Sequence, residues 1–206
     1  EIDQLSADAL VLDVGSGRGD FSSIISRRES LALDIYPYPE VDIVCDLAQV
    51  NPFKENSFDA IVLMNVLEHV YDSKVFLKEL AKLIKPGGKL LVAIPFLLKV
   101  HQAPFDFVRY TQFALEKLGQ ECGLAVASLE GYFDPMFLVE QGSNNLKHTV
   151  FPGLPRLNNY IARGLFAIGS LFTAGVAALV GGGFTKTPQD EHSPAPIGYH
   201  VVYRKD

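Results

Sequence analysis

The sequence predicts an α/β domain built on a doubly wound, mostly parallel β-sheet, and three observations carry this prediction. Residues 9–14 form an apolar run without polar alternation, which is typical of a parallel strand buried on both faces. A turn with glycines at positions 15, 17 and 19 follows, and Phe21, Ile24 and Ile25 then fit the inner face of a helix. Further along, short apolar runs alternate with amphipathic helical patterns, as they do in strand–helix–strand units.

Length and charge limit the classes of protein to consider. The 206 residues suffice for one domain with a sizeable core, so we expect residues 1–206 to form a single domain. The net charge of −6 and the lack of a basic run argue against a nucleic-acid partner. Cys45 and Cys122 have apolar neighbours and no partner pattern, which indicates reduced thiols in a cytoplasmic protein. No signal peptide is visible, although the chain begins at Glu1 without a methionine.

The glycine turn after the first strand predicts a ligand site. Glycines allow a tight bend and a close approach of the backbone to a ligand, and the N–H groups of the following helix would point at it. The dinucleotide fingerprint G-x-G-x-x-G needs a sixth-position glycine, but position 20 is Asp20. Asp34 ends the next apolar run about 20 residues downstream, where such folds hold a ribose. The pattern therefore predicts a nucleoside ligand and leaves its identity open.

The first half of the chain supplies the next strands and one clear helix. Residues 30–34, 41–45 and 58–64 are expected to be the second, third and fourth strands. The segment Tyr36-Pro37-Tyr38-Pro39 cannot be regular helix, because proline disfavours helix at itself and at its predecessor. Residues 73–84 form an amphipathic helix that Asp72 or Ser73 can cap. Pro86-Gly87-Gly88 should end that helix before the fifth strand, residues 89–94.

The second half begins with the most polar loop of the chain. Residues 95–110 leave the fifth strand and contain His101, Asp106, Arg109 and Tyr110. Thr111 is expected to cap a helix that runs to Gly119. Residues 124–129 and 197–203 are the predicted sixth and last strands.

Five segments together resemble a known family. They are VLDVGSGRGDF (residues 11–21), LALDIY (31–36), CDL (45–47), FDAIVLMNVLEHV (58–70) and LIKPGGKLLVAIP (83–95). The chain resembles the class I S-adenosylmethionine-dependent methyltransferases, in particular the small-molecule methyltransferases often called type 11. The resemblance implies a Rossmann-like methyltransferase fold of seven strands, in which the last strand is antiparallel and lies between the fifth and sixth. It also implies S-adenosylmethionine as cofactor and S-adenosylhomocysteine as product.

The resemblance further implies which residues bind the cofactor. Asp13, Gly15, Ser16 and Gly17 would hold the methionine portion, and the tip of the fourth strand at Asn65 would pass close to it. Asp34, followed by Ile35, would hold the ribose hydroxyls. Asp46 would accept a hydrogen bond from the adenine amino group, with the backbone N–H of Leu47 on the ring. The alternative for Asp46 is a simple turn aspartate, and we favour the cofactor contact.

Catalytic residues are less clearly marked. Glu68 and His69 could form an acid/base pair, but we favour a role in shaping the pocket floor. His101 is the candidate base, since an imidazole titrates near neutral pH. Asp106 and Arg109 are interpreted as an ion pair that pins the loop. Apolar walls for the acceptor are expected from three aromatic residues, Phe105, Phe107 and Tyr110. No cluster of metal-ligand carboxylates is visible beside the site, so we predict no metal.

A helical insertion, residues 132–196, separates the last two predicted strands. Residues 164–185 carry no charge, and this segment is long enough for a membrane-spanning helix. We reject a span, because both flanking strands must enter one sheet on one side of a bilayer and the proline-rich return is too polar. A predicted helix, residues 161–183, has a bulky apolar face and a small-residue face. The bulky face lies against a membrane surface or a lipid-like acceptor, or it is buried in the protein or a twin subunit; we favour burial.

The favoured function is methyl transfer from S-adenosylmethionine to an oxygen or nitrogen of a small or lipid-linked acceptor. An NAD-type oxidoreductase would also use the glycine turn and Asp34, but it leaves the CDL and LIKPGG segments without a role. A non-catalytic module that binds the cofactor and acts as an adaptor through the inserted helix is the third hypothesis. The expected partners are the acceptor and either a membrane surface or a second subunit at the 161–183 helix.

Overall fold

The computed structural model describes residues 1–19, 21, 25, 28–132, 160–161, 164, 167–169, 171 and 196–206. These residues contain one sheet of seven strands. The strands are β1 (Leu10–Val14), β2 (Glu29–Asp34), β3 (Ile43–Val44), β4 (Phe58–Met64), β5 (Ile84–Pro95), β6 (Ala125–Tyr132) and β7 (Gly198–Arg204). Two α-helices are described in the same part of the chain, α1 (Ser73–Leu83) and α2 (Gln112–Glu121).

The strand order is β3-β2-β1-β4-β5-β7-β6. The pairs from β3 to β5 are all parallel, whereas β7 is antiparallel to both β5 and β6. The chain leaves β1 toward β2 and β3 on one side, and it leaves β4 toward β5 on the other side. In open α/β sheets, connections that leave two adjacent strands in opposite directions form a crevice at the carboxyl ends of those strands, where ligands bind. The predicted fold class and the place of the last strand are therefore confirmed.

Apolar side chains cover both faces of the sheet. On one face, buried residues of the strands pack with the inner stripes of the two helices, such as Leu77 and Leu80 of α1 and Leu115 of α2. On the other face, Val11 and Val62 pack with Ile25 and Ile2. Burial on both faces explains why the strands are continuous apolar runs in the sequence. Ile25 belongs to the predicted first helix, most of which lies outside the described residues.

The helix caps agree with the sequence prediction. Asp72 accepts a hydrogen bond from the Val75 backbone N–H at the start of α1, and Thr111 accepts one from the Ala114 N–H at the start of α2. Each side-chain oxygen satisfies an N–H that the helix itself leaves unpaired. The cap of α2 fixes where the polar loop after β5 ends.

The predicted boundary between α1 and β5 is wrong. The Pro86-Gly87-Gly88 segment does not separate them, because α1 ends at Leu83 and β5 starts at Ile84. Ile84 pairs with Phe58 and Lys89 with Ala60, so the segment forms an irregularity within the strand. Lys205 closes this irregularity, since its carbonyl accepts the Gly87 N–H and its N–H donates to the Gly88 carbonyl. A contact with the chain's last residues thus sets the boundary.

The chain comprises two compact units, residues 1–132 with 195–206, and residues 133–194. The first unit contains the whole sheet. In the second, the described residues 160–161, 164, 167–169 and 171 have helical backbone. The rest of the predicted 161–183 helix lies outside the described residues, so its contacts and the single-domain prediction stay predictions. Among the residues that the structure describes, no helix is long and apolar enough to cross a membrane.

Candidate functional site

A cavity of about 640 Å³ opens at the carboxyl ends of the parallel strands. Val14 ends β1, Leu33 and Asp34 end β2, and Asn65 follows β4, and all of them line it. Its volume falls in the range of small-molecule sites, about 300–1,000 Å³. The cavity therefore lies where the glycine turn predicted a ligand.

The bend after β1 brings bare backbone to the cavity wall. The N–H groups of Gly15 and Ser16 both donate to the Leu33 carbonyl, at 2.8 and 3.1 Å. Gly15 has a φ of +72°, and a Cβ added there would lie 2.3 Å from Cγ2 of Val66. Gly17 has a φ of +57° with open space around it. Position 15 therefore needs glycine for both conformation and space, and position 17 for conformation alone.

Asp34 is fixed against this bend. Its Oδ2 accepts the Gly17 N–H at 2.9 Å, and its Oδ1 accepts the Tyr36 N–H at 2.9 Å. The residue is only 7% exposed, yet it lines the cavity. A carboxylate oxygen has two acceptor positions, and among the described residues each oxygen of Asp34 accepts one hydrogen bond, which leaves a second position for a ligand hydroxyl. Two such acceptors on one fixed group suit a vicinal diol.

Asp46 holds its own turn and also lines the cavity, so its predicted contact with the adenine stays a prediction. Its carboxylate holds its own turn, because Oδ1 accepts the Ala48 N–H and Oδ2 accepts a hydrogen bond from the Gln49 side chain. Asp46 and the neighbouring Leu47 also line the cavity. The turn thus places both residues in the wall of the cavity that Asp34 also lines.

Two predicted cofactor residues lie behind the wall. Asp13 and Ser16 do not line the cavity, whereas the other predicted cofactor residues do: Gly15, Gly17, Asp34, Ile35, Asp46, Leu47 and Asn65. Asp13 and Ser16 are both buried. Burial and then the charge of Asp34 raise the pKa of Asp13 to about 6. Ser16 Oγ has no hydrogen-bond partner among the described residues.

Part of the cavity lining was not predicted from the sequence. These residues come from the segment between β4 and α1, the start of α1 and the loop after β5: Val66, Val70, Tyr71, Asp72, Val75, Phe76 and Gln102. Periodicity assigned α1 to the scaffold, and nothing in the pattern shows which end of a helix faces a ligand.

A polar cluster of Glu68, His69 and His101 adjoins the cavity. Oε1 of Glu68 lies 3.8 Å from Nε2 of His69 and 3.8 Å from Nε2 of His101. The Glu68 side chain is 0% exposed, and neither of its oxygens has a hydrogen-bond partner among the described residues. Burial raises the pKa of Glu68, and the charge of the Arg109 guanidinium opposes that rise. His69 lines the cavity and Glu68 does not, so the interpretation of the pair as the pocket floor stays a prediction.

The two histidines of the cluster differ in their access to the cavity. His69 lines the cavity, and its Nδ1 lies 2.6 Å from the Phe105 carbonyl. His101 does not line it; its ring packs edge-on against His69 with centroids 4.9 Å apart. The role of His101 as base therefore stays a prediction, and His69 is the imidazole at the cavity wall.

The ion pair of Asp106 and Arg109 has the geometry expected of a pair that holds the loop after β5 in place. Both terminal nitrogens of Arg109 donate to the Asp106 carboxylate, and Arg109 also donates to the Leu98 carbonyl. Asp106 Oδ2 accepts the His101 backbone N–H at 2.9 Å. The Arg109 guanidinium holds the pKa of Asp106 well below its usual range. Of the aromatic residues expected to line the cavity, only Phe105 does; Phe107 packs on Tyr71 and Tyr110 on the core.

Comparison with known proteins identifies similar sequences. A family model described as a methyltransferase domain matches residues 12–92. The 2-methyl-6-phytyl-1,4-hydroquinone methyltransferase of Synechocystis sp. is 30% identical over 183 residues, which cover 80% of this chain and 57% of that protein. The ubiquinone biosynthesis O-methyltransferase of Xanthomonas oryzae pv. oryzae is 33% identical over 131 residues, covering 56% and 50%. The chain spans about half the length of the curated relatives it matches.

Solved structures share the fold. A SAM-dependent methyltransferase from Archaeoglobus fulgidus superposes with a TM-score of 0.62 at 16% identity, over 99% of this chain and 89% of that one. A methyltransferase structure from Bacillus halodurans gives a TM-score of 0.61 at 14% identity, over 99% and 95%. At these identities the likeness concerns the architecture of the chain.

Proposed function

Because this chain belongs to the class I S-adenosylmethionine-dependent methyltransferases, we propose that it transfers a methyl group to an oxygen or nitrogen of a small or lipid-linked acceptor. One observation carries the proposal. The fixed carboxylate of Asp34 and the bare bend at Gly15 and Gly17 face one cavity at the carboxyl edge of the sheet. A nucleoside with a charged amino-acid tail has matching parts.

The residues around the cavity fit S-adenosylmethionine. The two free acceptor positions of Asp34 suit the ribose hydroxyls. Asp46 and Leu47 would bind the adenine, and the bend at Gly15 and Gly17 leaves room for the methionine portion. The buried Asp13 and Ser16, whose hydroxyl has no hydrogen-bond partner among the described residues, offer a negative charge and a hydrogen-bonding group for that portion.

The protein has two tasks in the reaction. Bound S-adenosylmethionine supplies a methyl group that its sulfonium charge already activates. The cavity residues must hold the acceptor atom in line with the methyl carbon and exclude water, which lowers the entropic cost of the transfer. The acceptor loses a proton as its oxygen or nitrogen bonds the methyl carbon. We place that proton loss at the polar cluster, with His69 at the wall and His101, the base proposed from the sequence, behind it.

The rim of the cavity supports an aromatic, apolar acceptor. Tyr71 is 82% exposed, Phe105 is 57% exposed, and both line the cavity together with Val75. Exposed aromatic surface of this kind is typical of a binding site for an apolar ring. Relatives of the chain are by name hydroquinone and ubiquinone-biosynthesis methyltransferases. We propose a phenol or hydroquinone as the acceptor class, with methylation at a ring hydroxyl.

Calorimetry and an acceptor screen test this proposal in sequence. The folded protein should bind S-adenosylhomocysteine in one-to-one stoichiometry and show no heat with NAD. Hydroquinones and phenols, with amines as the comparison set, should then be screened with S-adenosylmethionine for release of S-adenosylhomocysteine. A folded protein that binds neither the cofactor nor its product would overturn the proposal. Turnover of amines without turnover of phenols would overturn the acceptor class alone.

A further inference from the structure

Potential ligand atoms of Glu68, His69 and His101 converge in the polar cluster, where one atom from each residue lies within 4.8 Å of the other two. Oε1 of Glu68 lies 3.8 Å from Nε2 of His69 and 3.8 Å from Nε2 of His101. Among the residues that the structure describes, neither the Glu68 oxygens nor Nε2 of His69 form a hydrogen bond. A fully buried carboxylate without a partner costs free energy, so a group that fills this space is expected.

The partner of His69 fixes its tautomer. Its Nδ1 lies 2.6 Å from the Phe105 carbonyl, which can only accept, so Nδ1 carries the hydrogen. In the neutral ring, Nε2 then holds a lone pair, and it points toward Glu68 at 3.8 Å. Nε2 of His69 therefore has no hydrogen to donate to the Glu68 carboxylate.

The surroundings of His101 favour the same tautomer. Its Nδ1 lies 3.1 Å from Oδ2 of Asp106, and Arg109 keeps that carboxylate ionised. The negative charge favours a proton on Nδ1, which leaves the lone pair on Nε2 facing Glu68 at 3.8 Å. Both rings thus present lone pairs to a carboxylate that also has only lone pairs when ionised.

From this arrangement we propose that Glu68, His69 and His101 bind one divalent transition-metal ion. Histidine ligands of metal sites donate their other ring N–H to a carbonyl or a carboxylate, as His69 does to Phe105, while Nδ1 of His101 lies 3.1 Å from the Asp106 carboxylate without a hydrogen bond among the described residues. Two imidazoles and one carboxylate suit Zn²⁺, Fe²⁺, Co²⁺ or Ni²⁺ better than Mg²⁺ or Ca²⁺, which prefer oxygen donors. The sequence prediction of no metal considered only clusters of carboxylates, and these donors come from two separate loops.

Binding requires a modest closure of the three side chains. Donors bonded to an ion at about 2.1 Å lie roughly 3–3.5 Å apart, so side-chain movements of about 1 Å bring these three into place. Three protein ligands leave at least one coordination position open for water or an acceptor oxygen. Because His69 lines the cavity, an acceptor bound there could reach that position. If the proposed function holds, an ion at the cavity wall would lower the pKa of a bound phenol. His101 would then act as a ligand in place of a base.

The test uses the intact protein, freed of metal by a chelator and titrated with Co²⁺, followed by competition with Zn²⁺. We expect one Co²⁺ per chain with visible d–d absorption, no sulfur-to-cobalt charge-transfer band from Cys45 or Cys122, and displacement by Zn²⁺. Glu68→Gln and His101→Gln should each raise the Co²⁺ dissociation constant at least about 100-fold. The control His200→Gln removes a histidine on β7 and should leave Co²⁺ binding within about twofold of the wild type.

Binding of S-adenosylhomocysteine, measured on the same preparations, separates this proposal from the proposed function. If the product binds to wild type and to both variants while Co²⁺ binds only to wild type, the metal site is supported. If the product binds but wild type takes up no Co²⁺, or if Glu68→Gln and His101→Gln bind Co²⁺ as the wild type does, the metal site is overturned and the function stands. If Co²⁺ binds with the expected mutational losses and the product does not bind, the metal site is supported and the function fails.

Discussion

At the scale of single residues, Asp13 is a carboxylate that folding makes harder to ionise. It lies at the end of β1, it is buried, and the charge of Asp34 is close enough to oppose its own. Its pKa rises from 3.8 to about 6 on these two grounds. A group whose protonated form is favoured in the folded state stabilises the fold below its unfolded pKa, and that contribution is lost as pH rises through the folded value.

Asp13→Asn should therefore stabilise the protein at pH 7 and leave it almost unchanged at pH 4. The shift from 3.8 to about 6 corresponds to roughly 3 kcal/mol, since one pKa unit is about 1.4 kcal/mol. We expect a gain of about 1–3 kcal/mol in the free energy of unfolding at pH 7, measured by urea denaturation. The exposed Asp8→Asn is the control and should show no such difference between the two pH values. A gain that is equal at both pH values would contradict the assignment to ionisation.

Asp34 provides a second prediction at this scale. Replacing Asp34 by Asn removes the charge and sets an amide N–H₂ against one of two backbone N–H donors, those of Gly17 and Tyr36. We expect the affinity for S-adenosylhomocysteine to fall about 10–100-fold, because a hydrogen bond to a charged group contributes about 1.5–3 kcal/mol. Asp42→Asn is the matched control, since Asp42 accepts the Ala32 N–H but does not line the cavity. Equal losses in both variants, by calorimetry, would mean that Asp34 only holds its turn.

At the scale of elements, the bend after β1 separates two costs of adding a methyl group. An alanine at position 15 would have a left-handed backbone conformation and a close neighbour, whereas an alanine at position 17 would have only the left-handed conformation. The left-handed conformation costs a non-glycine residue about 1–2 kcal/mol. The close neighbour is Cγ2 of Val66, in the segment that follows β4, so position 15 also reports how tightly that segment packs on the bend.

Gly15→Ala should destabilise the protein by about 2–4 kcal/mol and Gly17→Ala by about 1–2 kcal/mol, as measured by urea denaturation. Adding Val66→Ala to Gly15→Ala removes the side chain that the new methyl group meets, so we expect the double variant to recover part of the loss. Gly87→Ala, with a φ of +77° and open space, measures the backbone cost far from the cavity. If Gly15→Ala and Gly87→Ala cost the same, the contact with Val66 carries no energy.

At the scale of the whole molecule, residues 133–194 form a unit of their own between two paired strands. Tyr132 at the end of β6 is the register partner of Gly198 at the start of β7, and the Ile197 N–H donates to the Tyr132 carbonyl at 2.8 Å. The two strands are therefore already aligned as a hairpin where the intervening segment leaves the sheet. β7 also pairs along its length with β5, so the last strand holds β6 in the sheet.

Replacing residues 134–194 by a short Asn-Gly turn should leave a folded sheet. Loop closure depends only weakly on loop length, and such turns suit antiparallel pairs. We expect cooperative unfolding and an affinity for S-adenosylhomocysteine within about fivefold of the full chain, by calorimetry. A variant that ends after Tyr132, and so lacks β7, should not fold, because β6 then loses its partner. Loss of product binding in the shortened but folded chain would show that the removed residues complete the cofactor site.

The sequence alone was enough for those features that depend on local pattern and chain order. Continuous apolar runs mark strands buried on both faces, and the glycine bend with Asp34 one strand later locates the cavity edge. Cap residues follow the same logic, since Asp72 and Thr111 act on N–H groups three residues away. Each of these features rests on neighbours in the chain, whose distance the backbone geometry fixes.

The tertiary structure decided the features that join distant residues. Lys205 closes the irregularity of β5, Val66 occupies the space beside Gly15, and the start of α1 lines the cavity. The same holds for the convergence of Glu68 and His69 with His101, which a strand and a helix separate in the chain. Periodicity shows which face of an element is buried but not which neighbour covers it. The identity of that neighbour depends on the sheet order and on the paths of the loops, which no local pattern specifies.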